Sequence, residues 1–227
     1  MAKEDEFLTH FAVSPQYFIL DNFMSDSHLE GSVTQTGSVS IRMCDTILDT
    51  GVQGNSTARL NYIYSLFNPL YSTLYLRARL SSLNDVFGYM GFMETLEDPT
   101  FTMTQSHAGI FFYKAVGVVQ AYWSTGNGAT LSPTYKNTVI PNLDFSRDMI
   151  YELKGPGMRW FPLPLIQPYF AQQIVKQELR KWSAPYVNGS CIPKDQAHYF
   201  VLFIKNTTNV TKQMYVVSFN YTEDMRD

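Results

Sequence analysis

The sequence predicts an all-β protein, an antiparallel β-sandwich that carries one amphipathic helix. Of its 227 residues, 45% are hydrophobic and 15% are aromatic, and two packed sheets need large apolar side chains on both inner faces. Residues 106–128 contain two apolar, β-branched and aromatic runs, closed by the turn signal Gly126-Asn127-Gly128. Residues 74–80 repeat with the period of two that is typical of a half-buried strand.

The two runs of the central stretch cover residues 108–113 and 116–123, and we interpret them as a hairpin. In the segment 74–80 the alternation assigns the leucines and Ala78 to one face and Tyr75, Arg77 and Arg79 to the other. Gly37 marks a bulge or a tight turn within its segment. Further strands are predicted by the same criteria at residues 17–20, 33–41, 58–66, 86–93, 131–140, 149–154, 158–163, 199–204 and 214–219.

One segment departs from the β pattern. Residues 166–182 place Ile166, Phe170 and Ile174 on one stripe and polar residues on the opposite side, which predicts an amphipathic helix. Pro168 fits the first turn of that helix. The helix would pack on the sandwich itself, or it would dock into a neighbouring subunit. We expect residues 1–16 to form an N-terminal arm and residues 17–227 to form a single domain.

Composition excludes several classes of protein. The net charge is −3 and the basic residues are scattered, which argues against a nucleic-acid partner. No apolar run is long enough for a transmembrane helix, and the acidic start has neither the basic nor the apolar region of a signal peptide. Cys44 and Cys191 match no metal-binding spacing. They either pair or remain as two buried free thiols, and the missing leader favours free thiols.

Asn-x-Ser/Thr triplets raise the question of glycosylation. A chain rich in Asn, Ser and Thr produces such triplets by chance, and glycosylation requires a secretory route that the N-terminus does not indicate. The triplets begin at Asn55, Asn188, Asn206, Asn209 and Asn220.

The order of the segments resembles a known superfamily. DNF and GSV are followed by STLYLRARLSS, FGYMGF, HAGIFFYKAVGVVQAYWSTGNG and MIYELKGPGMRWF. This succession is similar to the concanavalin A-like lectin/glucanase (LamG-like) jelly roll, over residues 17–164 and 199–219. The resemblance implies an antiparallel jelly-roll β-sandwich, and the helix 166–182 and the arm are departures from it. Such modules occur in lectins, in glycoside hydrolases and in phage or virus structural proteins.

Enzymatic chemistry is not predicted. Glucanases of this superfamily carry alternating carboxylates on one strand, and a retaining site needs its two carboxyl groups about 5 Å apart. The acids closest to that pattern, Glu94, Glu97 and Asp98, lie in a polar segment with a proline, which indicates a solvated acidic loop. The four histidines share no ligand spacing, and no motif of a nucleophilic hydrolase is present.

A binding role is easier to support. Sugars stack on flat aromatic faces while polar side chains bond their hydroxyl groups, so the glycan-binding candidates are Tyr122, Trp123, Asn127 and Trp160. In each case the alternative is a core residue, since burial is what stabilises most tryptophans in a sandwich. Calcium is the one cofactor considered, because such modules bind it with loop oxygens. The candidate calcium ligands are Asp21, Asn22 and Asp144.

These observations lead to three functional hypotheses. The first is a non-enzymatic virion structural protein, a decoration, turret or attachment component made in the host cytoplasm, whose partners are other copies of itself or capsid proteins. The alternative is a carbohydrate-binding, lectin-like module that is secreted or on the cell surface and whose partners are glycans. The third is a degenerate glycoside hydrolase. Neither a nucleic-acid partner nor a membrane span is expected.

Overall fold

The protein folds as two antiparallel β-sheets packed face to face. The computed structural model describes residues 18–21, 29–33, 36–41, 46–81, 84–115, 118–128, 134–140, 149–154, 157–162, 187–188 and 191–223. Within these ranges every regular element is a strand, so none of the described residues forms a helix that could cross a bilayer. The predicted helix at 166–182 and the predicted arm at 1–16 lie outside the described residues.

The first sheet has seven strands, and its spatial order differs from the chain order because distant segments pair side by side. From edge to edge its strands are β10 (Tyr135–Ile140), β9 (Val118–Gly126), β8 (His107–Ala115), β7 (Val86–Met93), β14 (His198–Asn206), β5 (Thr57–Phe67) and β2 (Leu29–Val33).

The second sheet has eight strands. Seven of them form a continuous order, and the eighth, β1 (Phe18–Asp21), pairs with the C-terminal part of β15, beyond the residues of β15 that pair with β4. The continuous order is β13 (Val187–Asn188), β12 (Gly157–Pro162), β11 (Met149–Lys154), β6 (Ser72–Leu80), β15 (Gln213–Glu223), β4 (Thr46–Asp49) and β3 (Ser38–Ile41).

The main core lies between the two sheets. The four apolar residues that alternate along β6, Leu74 to Leu80, are buried there, whereas Arg79 on the opposite face of the same strand is exposed. Ile110, Phe112 and Trp123 of the seven-stranded sheet belong to the same core. The predicted facing of β6 is therefore confirmed, and so is the all-β, jelly-roll sandwich. Each fully buried large side chain stabilises the fold by roughly 1.5–3 kcal/mol.

Two details differ from the sequence prediction. Residues 33–41 were expected to form one segment, but β2 ends at Val33 in one sheet and β3 begins at Ser38 in the other. Gly37 lies in the connection between these two strands and not within a strand. The short strands β4 and β13 were not predicted; β13 has only two residues, too few to show a period.

Candidate functional site

A second apolar cluster covers the outer face of the seven-stranded sheet, away from the core. Successive residues of a strand point to opposite faces, so Phe111 and Tyr122 lie on the outer face while their neighbours Ile110 and Trp123 lie in the core. We call this cluster the outer aromatic face. Its members are Phe87, Tyr89, Met93, Phe101, Met103, Phe111, Tyr113, Tyr122, Tyr199, Val201 and Phe203.

Tyr89 forms the floor of the outer aromatic face. Its side chain is fully buried, and its hydroxyl donates a hydrogen bond to the Phe92 carbonyl over 2.8 Å. The ring lies against Gly109 so closely that a Cβ added there would be 2.5 Å from the ring carbon Cζ. Glycine at 109 is therefore needed for this packing. Burial raises the pKa of the Tyr89 phenol well above its usual value.

The loop of residues 94–106, between β7 and β8, folds over part of this face. Its Phe101 ring stacks on Tyr113, with ring centroids 4.9 Å apart and an angle of 22° between the planes. The same ring meets Tyr122 edge-on, also at 4.9 Å. Phe87, Phe101, Tyr113 and Tyr199 remain only partly buried. They leave aromatic surface accessible at the face.

Polar side chains from the two sides of the sheet hold the loop in place. On the β10 side, Asn137 Nδ2 donates to the Phe101 carbonyl over 2.9 Å. On the β5 side, Arg59 donates to the Leu96 carbonyl and lies 3.4 Å from the Asp98 carboxylate. The arrangement sets charged and amide groups around an aromatic centre.

Two buried histidine–serine pairs lie at the end of the sheet where β8 and β14 begin. His107 Nε2 is 2.8 Å from Ser124 Oγ, and His198 Nε2 is 2.8 Å from Ser106 Oγ. In both histidines Nδ1 faces a backbone carbonyl, of Gln105 and of Gln196. Since a carbonyl only accepts, Nδ1 carries the proton and Nε2 accepts from the serine hydroxyl.

These pairs have the connectivity of a nucleophile and its base, but they lack access. Both histidines and Ser106 are 0% exposed and Ser124 is 1% exposed, so no substrate reaches the serine oxygens. Burial lowers the pKa of His107 to about 4 against the opposing effect of its Gln105 hydrogen bond, and the neighbouring His198 lowers it further. Burial also lowers the pKa of His198. Both rings are neutral at pH 7. Their hydrogen bonds link β8 to β9, and β14 to the end of the loop 94–106, so the pairs have a structural role.

Glu94 was expected in a solvated acidic loop, but its carboxylate is bound by three groups of the protein. We call this set of bonds the clamp. Glu94 Oε1 accepts hydrogen bonds from Lys194 Nζ at 2.6 Å and from Gln196 at 2.8 Å, and its Oε2 accepts from the Ser106 N–H at 3.0 Å. Partial burial acts to raise the pKa of Glu94, but these bonds and the Lys194 charge lower it to about 2. Glu94 is therefore ionised and engaged, and Asp98 pairs separately with Arg59.

The structure separates the four predicted glycan-binding residues. Tyr122 lies on the outer aromatic face with 8% of its surface exposed, and its hydroxyl donates to Gln120 over 2.7 Å. Trp123 is 0% exposed in the core and offers no surface to a sugar. Asn127 is 4% exposed at the end of β9. Trp160 lies in β12 of the other sheet, opposite Tyr151.

The turn at residues 126–128 packs against the side chain of Lys194 and is not open to a ligand at Gly128. Gly128 has a φ of +71°, and a Cβ added there would lie 2.3 Å from Lys194 Cε. Glycine is required both for this backbone conformation and for the passage of the lysine side chain. The turn therefore supports the Lys194–Glu94 ion pair.

The predicted calcium ligands are not brought together by the described part of the chain. Asp21 ends β1, next to β15, while Asn22 and Asp144 lie outside the described residues. Among the described residues no three His, Cys, Asp or Glu side chains are grouped so that they could hold a metal ion. Calcium binding by these three residues stays a prediction. Cys191 is buried, and Cys44 lies outside the described residues.

Comparison with solved structures identifies the architecture. The exoplasmic/lumenal domain of VIP36 in its Ca²⁺-bound form superposes with a TM-score of 0.60 at 11% identity, over 94% of this chain and 93% of that domain. A legume lectin-like domain from Entamoeba histolytica gives a TM-score of 0.55 at 12% identity, over 88% and 91% of the two chains. The chain has the concanavalin A-like lectin fold. No family model matches its sequence, and no curated protein does.

Similar folds occur in a sugar-bound lectin domain and in a structure from work on glycanases. The VIP36 domain has also been solved with Ca²⁺ and Man3GlcNAc bound, at a TM-score of 0.55 and 9% identity over 92% of this chain and 91% of that one. A structure from work on endo-acting O-glycanases of the human gut microbiota gives 0.52 at 11% identity, over 91% of this chain and 99% of that one. At such identities the likeness establishes the fold alone.

Sequence reasoning missed most of the outer aromatic face. Of its four candidates only Tyr122 belongs to this face, whereas the partly buried rings are Phe87, Phe101, Tyr113 and Tyr199. The signal was present in residues 107–115, where apolar side chains occupy both alternating positions instead of one. A strand that is apolar on both faces needs cover on both faces, so this pattern points to a second apolar surface. The histidine–serine pairs had no signal in the sequence, because their members are 17 and 92 residues apart in the chain.

Proposed function

We propose that this chain is a carbohydrate-binding, lectin-like module that binds a glycan through its outer aromatic face. The observation that carries the proposal is the set of partly buried rings, Phe87, Phe101, Tyr113 and Tyr199, on the sheet face opposite the core. A saturated sugar ring has apolar C–H faces that pack on aromatic rings, and its hydroxyl groups need polar partners at the edge of the same surface.

Such polar partners surround the rings. Gln120 and Asn137 lie on the β9–β10 side and Arg59 and Asp98 on the β5 side. Gln120, Asn137 and the exposed Asp98 supply amide and carboxylate groups, which donate to or accept from sugar hydroxyls, while the buried Arg59 holds the loop that carries Asp98. The shared fold supports this proposal, since the VIP36 domain is known in a form with a bound oligosaccharide.

The carboxyl groups near the outer aromatic face favour glycan binding without hydrolysis. Glycoside hydrolysis needs two carboxyl groups that flank the scissile bond. The strands β7 to β10 and β14, which carry the outer aromatic face, contain no Asp or Glu. Glu94 is held by Lys194 and ionised, so it has no proton to donate to a leaving group at neutral pH.

A secreted or cell-surface location accompanies the proposed function, because extended glycans lie outside the cytoplasm. The virion hypothesis predicts self-assembly instead of glycan binding. The structures of similar fold described above are lectin-like domains and a glycanase, which supports the glycan-binding proposal. Light scattering on the purified chain separates the two. Self-assembly without glycan binding would support the virion hypothesis.

The test is a glycan array followed by calorimetric titration of the best ligand. Tyr113→Ala and Tyr199→Ala should each weaken binding roughly tenfold or more, which corresponds to about 1.4 kcal/mol. Val52→Ala is the matched control, since Val52 is 64% exposed and lies in the turn between β4 and β5, outside the outer aromatic face. Thermal unfolding of each variant checks that the fold is retained. Equal binding by all variants would refute this surface.

The same ligand tests the enzymatic alternative. The proposed module should release no reducing ends from a bound glycan during long incubation. Hydrolysis that disappears in Glu94→Gln would instead support the glycosidase hypothesis. Trp123→Ala is unsuitable as a binding test, because emptying a fully buried tryptophan site costs about 3–5 kcal/mol of stability.

A further inference from the structure

Two turns meet at the end of the sandwich opposite the Glu94–Lys194 ion pair. They are residues 50–56, between β4 and β5, and residues 207–212, between β14 and β15. The Gly54 N–H donates to Asn209 Oδ1 over 2.8 Å, and Thr50 N–H donates to the Lys212 carbonyl over 3.0 Å. We call these two turns, with Asn206 at the end of β14, the tip.

Three of the five Asn-x-Ser/Thr triplets fall in the tip, at Asn55, Asn206 and Asn209. We propose that Asn55 and Asn209 are sites of N-linked glycosylation and that Asn206 is not. This goes beyond the glycan-binding proposal and depends only on the secreted or cell-surface location that accompanies it. A chain that binds glycans on one face would then carry glycans of its own at the tip.

The side chains of Asn55 and Asn209 are presented to solvent. Asn55 is exposed in its turn with a φ of +64°, a left-handed conformation that asparagine tolerates. Asn209 is also exposed, and its carbonyl oxygen accepts the Gly54 hydrogen bond. A glycan attaches at Nδ2 and leaves that oxygen unchanged. Both asparagines can therefore carry a bulky substituent while the turns keep their contacts.

Asn206 differs although its triplet is equally valid as a motif. It is 0% exposed, and its Nδ2 donates to the Gly51 carbonyl at 3.0 Å and to the Val210 carbonyl at 3.3 Å. A sugar on Nδ2 would replace one of these protons and need space inside the tip. A chain modified at Asn206 could not form the tip with these contacts, so only unmodified Asn206 is compatible with the folded protein. The fold therefore distinguishes three triplets that are equivalent in the sequence.

Exposed apolar side chains in the tip give an independent reason to expect glycans there. Val52 is 64% exposed and Val210 is 54% exposed, and they lie in the same two turns as the acceptor asparagines. A hydrophilic glycan on the neighbouring asparagine of each turn would shield these exposed side chains from water and from other chains.

The chemistry is a glycosyl transfer from a lipid-linked oligosaccharide diphosphate. A bond forms between the amide Nδ2 and the anomeric carbon of the first sugar, while the bond from that carbon to the diphosphate oxygen breaks. The amide loses one proton, and the lipid diphosphate departs with the bonding electron pair. No oxidant or reductant takes part.

To test this proposal, the full chain is secreted from a eukaryotic cell with a cleavable leader fused to its N-terminus. The substitutions Asn188→Gln and Asn220→Gln remove the two triplets outside the tip. Enzymatic removal of N-glycans converts each modified asparagine to aspartate, so peptide mass spectrometry locates the sites without further substitution. We expect aspartate at 55 and 209 and asparagine at 206. The additional variants Asn55→Gln and Asn209→Gln should each lower the mass of the secreted chain by one glycan.

The possible results are decisive. A secreted chain without glycans, a chain modified at Asn206, or a chain lacking either predicted glycan overturns the proposal. Because the leader is supplied, the result does not depend on the native location of the protein. Binding of the deglycosylated chain to the glycan array is measured separately, so a failure of the glycan-binding proposal remains distinguishable.

Discussion

Lys194 Nζ donates to Glu94 Oε1 over 2.6 Å and so joins two segments that are 100 residues apart in the chain. The ion pair is only about three-quarters buried, with 28% of the lysine and 23% of the glutamate side chain exposed. Solvent therefore screens part of its strength. Its effect is local: it holds the start of the loop 94–106 against the segment that leads into β14.

Glu94→Gln should lower the free energy of unfolding by about 1 kcal/mol, because it removes a charge-assisted hydrogen bond but keeps an acceptor for the Ser106 N–H. Urea unfolding at pH 7 measures the change. Glu97→Gln in the same loop is the control, since Glu97 is exposed, and it should leave stability unchanged. Equal effects of the two substitutions would mean that the clamp has no energetic role.

Stability should fall as the pH drops below about 6.5. The unfolded chain protonates a histidine near pH 6.5, whereas folded His107 does so only near pH 4. In that window the unfolded state binds more protons, so the free energy of unfolding decreases with decreasing pH. For His107 alone we expect a loss of about 2 kcal/mol between pH 7 and pH 5.

His198 adds to this loss, because its pKa is lowered too. Glu94 titrates near pH 4.5 when unfolded and near pH 2 when folded, so its contribution is lost only below about pH 4.5. Urea unfolding at pH 7, 6 and 5 measures the slope, and NMR titration of the histidine rings assigns it. A flat profile between pH 7 and pH 5 would contradict the neutral, buried state of these rings.

Gly109→Ala should destabilise the protein by about 2 kcal/mol, because the added Cβ would meet the Tyr89 ring at 2.5 Å. Tyr89 is fully buried and has little room to move. In a Tyr89→Leu background the ring is absent, and the cost of Gly109→Ala should shrink. A double-mutant cycle by thermal unfolding gives the coupling. If the two changes in the free energy of unfolding were additive, the Tyr89 ring would not be in contact with residue 109.

Cys191 should react slowly with a thiol reagent in the native protein and quickly after unfolding. It is 3% exposed, and burial raises the pKa of its thiol, only partly countered by the Lys136 charge. Measuring the reaction in a Cys44→Ser variant isolates this one thiol. Rapid modification of the folded variant would place Cys191 at an accessible surface instead.

The sequence was sufficient for the sandwich because strands have a period of two that composition and turns make visible. Alternation along residues 74–80 predicted which side chains of β6 enter the core, and the second strand of the central hairpin was located to within three residues at each end. The same period failed at residues 33–41, where a polar alternation does not reveal that the chain changes sheets at Gly37.

The site depended on information that no local pattern contains. Trp123 and Tyr122 are adjacent and equally attractive as sugar-binding residues in the sequence, but the pleat sends one into the core and the other to the outer face. Asn206 and Asn209 belong to equivalent triplets, and only the hydrogen bonds to Gly51 and Val210 distinguish them. The sequence by itself therefore determined an all-β sandwich with a large aromatic core. The pairing of distant strands decided which rings, acids and asparagines meet solvent, because burial depends on neighbours that are far away in the chain.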